Sequence, residues 1–162
     1  MSKKLFLLCP LIHGEMYLKE RFGDDSYFLT ALGSVFDLDI HVYTESLIHL
    51  LLQEDISEIF HVHDIESPLL RSIVHQEENY DSVQNRFLAN LYAENYPEIV
   101  QEPNKIASLA LIHMKHQANL IMQHPRISSI IIENKIALQG LLSQISKRKS
   151  IQFDLKMAFQ KL

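Results

Sequence analysis

The chain has 162 residues, of which 47% are hydrophobic and 22% charged, with four glycines, five prolines and a formal charge of −5 with histidines neutral. That profile excludes a disordered tail or a low-complexity linker and leaves one ordered core in a single domain over residues 1–162. The 15 basic residues are dispersed, so no concentrated positive surface argues for nucleic acid as a partner.

Leu5 to Cys9 is a continuous apolar run closed by Pro10, which predicts a buried parallel strand with Cys9 at its carboxyl end. A loop through His13 and Gly14 leads to a short helix over Glu15 to Arg21, and Tyr27 to Thr30 reads as a second strand before a turn at Gly33 and Ser34. Thr44 is a fitting N-cap for a helix through Gln53, whose Leu47, Ile48, Leu51 and Leu52 form an apolar stripe. Ile56 to Val62 follows as a strand, completing a β-α-β crossover.

Ser67 and Pro68 signal the start of a helix, and a second amphipathic segment spans Tyr80 to Asn95. Asn104 caps a long helix from Lys105 to about Gln123, whose stripe includes Ile106, Leu109, Ala110, His113, Ala118 and Ile121. After HPRIS, the segment Ser129 to Leu142 leads into the strand-like KIALQGLL, and Ile151 to Leu155 reads as its hairpin partner at a sheet edge. The intervening Lys147, Arg148 and Lys149 read as a solvated turn.

A single cysteine allows no internal disulfide and favours a reducing compartment. The opening apolar run is short and lacks a small-residue cleavage motif, and no run reaches the ~20 apolar residues that span a bilayer. The expectation is a soluble cytoplasmic protein without membrane contact. At this length roughly 70% of the unfolded surface is buried on folding, so the core does not require a metal for its stability.

The stretch HVHDIES, His61 to Ser67, concentrates two imidazoles and two carboxylates at a strand end. Cys9, His63 and Glu66 together offer thiolate, imidazole and carboxylate, a set that suits zinc with one position left open. His61 alternates with His63 and is assigned to the strand rather than to the ligand set. Asp64 is a supporting partner for a ligand histidine, or else a turn residue. His113 and His116 form an i, i+3 pair without an H-E-x-x-H pattern and read as ordinary helix-face residues. No glycine-rich phosphate loop or G-x-S-x-G elbow is present.

Three stretches resemble the β-class carbonic anhydrases. LFLLCPLIHG is similar to that family's first strand and its C-x-D-x-R segment. SLIHLLLQEDISEIFHVHDIES resembles the helix, strand and H-x-x-C segment that follow, and KIALQGLLSQISKRKSIQFD resembles the closing strands. The resemblance implies an α/β fold with a mostly parallel four- to five-stranded sheet flanked by helices, a homodimer or larger even oligomer, zinc, and reversible hydration of carbon dioxide to bicarbonate. It places Cys9 and His63 on two of the family's zinc ligands and Glu66 where the second cysteine belongs. Leu11 and His13 replace the aspartate and arginine that orient the metal-bound species, so His13 and Asp64 are left as the nearby supporting positions. Leu11 accepts no hydrogen bond and His13 lacks the guanidinium fork. The implied protein is a divergent carbonic-anhydrase-like chain with a Cys9/His63/Glu66 site and reduced or absent hydration. The alternatives are a metal-free protein that binds a small molecule or anion on the same fold, and a homo-oligomeric structural protein.

Overall fold

The structure, a computed structural model, describes residues 2–77 and 82–156. Its centre is a run that needs no polar face: Leu5, Phe6, Leu7 and Leu8 are all buried, as expected of a parallel strand covered on both sides. This strand, β1 (Lys3–Leu8), is followed by a 3-10 turn, α1 (Glu15–Phe22), β2 (Ser26–Thr30), α2 (His41–Gln53) and β3 (Ile56–Asp64). Five helices follow: α3 (Pro68–Val74), α4 (Val83–Glu94), α5 (Tyr96–Ile99), α6 (Lys105–Gln123) and α7 (Pro125–Glu133). The chain closes with β4 (Ala137–Gln144) and β5 (Lys149–Asp154).

The strands lie in the order β2-β1-β3-β4-β5, parallel except for the β4–β5 hairpin at the edge. From β1 the chain moves to one side for β2 and then returns past β1 for β3. The order therefore reverses between β1 and β3, and the carboxyl ends of those two strands frame the crevice where open α/β sheets bind ligands.

Side chains alternate cleanly across the sheet. Phe6, Leu8, Phe60, Val62 and Leu141 meet Tyr17 and Leu18 of α1 on one face. Leu5, Leu7, Ile59 and Leu138 face the other way, against Ile48 and Leu51 of α2, Met114 and Ile121 of α6 and Ile127 and Ile131 of α7. His61 and His63 continue the odd-numbered register of Ile59, and so occupy positions on the α6 face that would otherwise carry apolar side chains.

Several expectations shift at the level of single elements. α2 begins at His41 rather than after Thr44, whose hydroxyl donates to the Leu38 carbonyl from inside the first turn. β3 runs on through His63 and Asp64. Residues 125–133 are helical where no helix was expected, because His124 caps the segment and Pro125 fixes the first turn, outweighing the β-branched run Ile130 to Ile132. Tyr80, the expected start of the fourth helix, lies outside the described residues; the helix is capped by Ser82, whose hydroxyl accepts from the Asn85 N–H.

Two glycines permit close approaches. A Cβ on Gly140 of β4 would sit 2.8 Å from Met114 Sδ on α6. Gly33 has φ +67°, and a Cβ there would lie 2.8 Å from Leu69 Cδ2 and 2.9 Å from Leu88 Cδ1. Gly33→Ala is expected to destabilise the protein by about 1–3 kcal/mol through overpacking and left-handed strain. Urea unfolding checks this, and a midpoint unchanged from wild type would show that α3 and α4 are not held against this turn.

Candidate metal centre

The turn at Gly33 and Ser34 ties together the two strand ends that frame the crevice. The Gly33 N–H donates to Cys9 Sγ at 3.2 Å, the Ser34 hydroxyl donates to the Val62 carbonyl at 3.0 Å, and the Ala31 N–H donates to the Leu8 carbonyl at 3.1 Å. The Ser34 carbonyl points at His61, accepting from its Nε2–H at 2.8 Å. Since a carbonyl only accepts, neutral His61 carries its proton on Nε2 and a bare lone pair on Nδ1.

His113 reaches the same place from α6. Its Nδ1 lies 2.7 Å from His63 Nε2, and the ring centroids are 5.1 Å apart for His61 and His63 and 4.9 Å apart for His61–His113 and for His63–His113. One nitrogen from each ring lies within 4.8 Å of the others. All three residues are buried, at 0–3% exposure. His61 Nδ1 and His113 Nε2 are buried with no hydrogen-bond partner among the described residues. Both belong to rings of one polar cluster, where a buried nitrogen without a hydrogen bond is uncommon.

Burial controls the charge of the cluster. Desolvation pushes His61 down to about 4, opposed only in part by the Ser34 carbonyl. His63 and His113 are held well below the usual imidazole range, first by burial and then by the neighbouring imidazoles. At neutral pH the three rings are therefore uncharged and offer lone pairs. Three neutral imidazoles suit zinc and the other later first-row metals, so the residues present fit the metal that the sequence resemblance implies. Whichever of His63 and His113 donates, their shared proton engages a lone pair. Seating an ion among all three rings requires that hydrogen bond to open.

The residues expected from sequence are distributed differently. Among the described residues, the single group of three potential ligand atoms within 4.8 Å is His61, His63 and His113, and of the expected set only His63 belongs to it. Cys9 and His63 do stand at the ends of neighbouring strands, with Leu7 in register with His61, but the Cys9 sulfur is engaged by Gly33. Glu66 is exposed and accepts from Gln144 Nε2 at 3.3 Å; hydrogen bonds from Ser146 and Gln144 hold its carboxyl below the usual range. Asp64 accepts from the Ser143 hydroxyl and the Ile145 and Glu66 N–H groups, each at 2.8 Å, and thus organises the turn after β3. His13 is an exposed left-handed residue closing the 3-10 turn after β1.

His61 and His113 lie outside the ligand set that the sequence predicts. Their signals were present: His61 shares the inward register of His63, and His113 falls on the apolar stripe of α6, where a polar ring needs partners. What sequence spacing does not supply is the contact itself, which crosses 50 residues.

No protein-family model matches the chain, and no curated protein matches it. Solved structures do. A β-carbonic anhydrase of Aspergillus fumigatus superposes with a TM-score of 0.82 at 11% identity, covering 99% of this chain and 80% of that one. One of two tetrameric β-carbonic anhydrases from Sordaria macrospora gives 0.77 at 11% identity, over 94% of this chain and 80% of that one. The Coccomyxa β-carbonic anhydrase, solved with acetazolamide, gives 0.71 at 9% identity, over 98% and 82%. The fold is that of the β-carbonic anhydrases. On this β-carbonic-anhydrase-like fold the candidate metal cluster is made of histidines alone, without a cysteine ligand.

The depressed imidazoles make a pH prediction for the apoprotein. Below the unfolded histidine pKa of ~6.5 the unfolded chain takes up protons that the buried rings refuse. Their contribution to stability is therefore full above that pH and is lost as pH falls from ~6.5 towards the folded value of His61, about 4. Urea midpoints measured from pH 7.5 downwards should drop through that window, and a flat profile would mean that the rings are not buried and neutral.

Proposed function

We propose that this chain is a divergent carbonic-anhydrase-like protein that holds zinc through His61, His63 and His113 and hydrates carbon dioxide poorly or not at all. The observation that carries the reading is the convergence of three buried neutral imidazoles, one nitrogen of each within 4.8 Å of the others. His61 would bind through Nδ1, its tautomer fixed by Ser34, while His63 and His113 would exchange their mutual hydrogen bond for the ion. A bound zinc would supply Lewis acidity. The chain's own residues supply little else for hydration: Leu11 and His13 stand at the positions matching the family's aspartate and arginine, and both side chains are exposed. The trio itself is enclosed, which suits holding an ion better than exchanging substrate.

A second reading, an anion-binding protein without metal, draws on a different feature. A cleft of about 480 Å³ beside the ends of β4 and β5 is lined by Arg21, Arg148 and Lys149, with Leu142 and Ile151 as apolar wall. A homo-oligomer fits either reading, because β5 ends the sheet with a mostly exposed strand whose outer edge a second copy would cover.

Elemental analysis of untagged protein, together with carbon dioxide hydration on the same sample, tests the choice. Near-stoichiometric zinc and little hydration are expected. His63→Ala or His113→Ala should weaken zinc by more than the ~10–100-fold that loss of a supporting residue costs, while Cys9→Ser and Glu66→Gln leave the content unchanged. Zinc lost with Cys9→Ser and Glu66→Gln but kept with His113→Ala would return the site to Cys9, His63 and Glu66. Absence of metal after reconstitution, with saturable bicarbonate-induced shifts at the Arg148 cleft, would favour the second reading.

A further inference from the structure

An ion bound for the histidine trio has to pass through the layer that buries it, and the side chains on the helical side of that layer are specific. Phe87, on α4, is half-buried, and its ring centroid lies 5.7 Å from that of His113. The same ring lies 5.3 Å from His116, a half-buried residue three positions along α6. Phe87 therefore contacts both an imidazole that reaches solvent and one that does not.

The other sides of the trio are fixed by the fold. His61 and His63 project from β3, a strand paired on both sides, and His61 is tied to the Ser34 carbonyl. Next to Phe87, Leu88 is fully buried against the Gly33 turn and anchors α4 there. Phe87 is thus the half-buried neighbour of His113 on this side, while Leu88 beside it holds α4 against the turn.

The chemistry of the three rings in this line supports a passage for a cation. Stripping a divalent ion of water before it has a new partner is costly, so transit is favoured where ligands replace water one at a time. Imidazoles three apart on a helix are neighbours on its surface, about 5–6 Å between Cβ atoms, and the face of a phenyl ring attracts a cation. We propose that His116 is an outer ligand that captures a divalent transition-metal ion, and that Phe87 is the gate through which the ion passes to His113 and the buried trio. This rests on the reading of the trio as a metal centre. Capture changes no oxidation state, since a neutral imidazole lends a lone pair in exchange for a water leaving the ion.

Mixing apoprotein with zinc in a stopped-flow instrument, and then stripping the loaded protein with a chromophoric chelator, separates rates from equilibrium content. Phe87→Ala should speed both uptake and release about tenfold, and Phe87→Leu, which keeps an apolar side chain, should speed them less. Both should hold as much zinc per chain as wild type. His116→Asn should slow uptake about tenfold without changing the final content. Wild-type rates in both fully loaded Phe87 variants would overturn the gate. A lower final content in His116→Asn would make His116 a ligand of the centre itself and refute its outer role, as would unchanged uptake. A wild-type protein that takes up no zinc would remove the metal reading first and the gate with it, whereas normal loading with unaltered rates would remove the gate alone.

Discussion

Desolvation of three imidazoles is the constraint around which this molecule is arranged. Their positions on β3 and α6 lie on the face of the sheet that is otherwise packed with Leu5, Leu7, Ile59 and Leu138. A buried ring nitrogen without a hydrogen bond costs of the order of 1–3 kcal/mol, so each ring needs an assigned partner or a reason to lack one. Ser34 meets part of that demand for His61, and His63 and His113 meet part of it for each other. The remainder, on His61 Nδ1 and His113 Nε2, is a cost that apolar side chains in the same places would not carry.

The turn at Ser34 shows how local backbone chemistry reaches the site. Gly33 and Ser34 both have positive φ, a conformation that costs Ser34 more than glycine. That strained pair aims a carbonyl at His61 while the preceding N–H engages Cys9 and the serine hydroxyl engages β3. One turn thereby closes the crevice at the point where the strand order reverses. Cys9, which with His63 falls on a ligand position in the family resemblance, becomes part of the support of that turn.

How much of this was legible in the sequence follows from the range of the interactions concerned. β1 and β3 were readable because their apolar runs are local and continuous, and the caps at Ser67 and Asn104 because a capping side chain bonds its own first turn. The helix at Pro125 was hidden by three consecutive isoleucines, whose β propensity pointed the wrong way; packing of Ile127 and Ile131 against the core decides it. His63 was readable from its place at the end of a central strand. His113 was not, because whether α6 lays that ring on β3 or on another neighbour depends on how five helices are threaded between β3 and β4. Glu66 looked suitable by type and spacing, yet β3 continues two residues further than expected and the turn held by Asp64 carries Glu66 out to solvent.

Gly140 bears on the surroundings of the cluster without belonging to it. It is the register partner of His61 on β4, and Met114, the neighbour of His113, rests where its side chain would be. The missing methyl leaves room for the Met114 side chain between α6 and β4, one residue along from His113. A residue with no side chain thus makes room for the packing of α6 beside the three imidazoles, acting as a spacer of zero thickness under Met114. A side chain at position 140 would press first on Met114, so the packing beside the cluster can be disturbed with every histidine left in place.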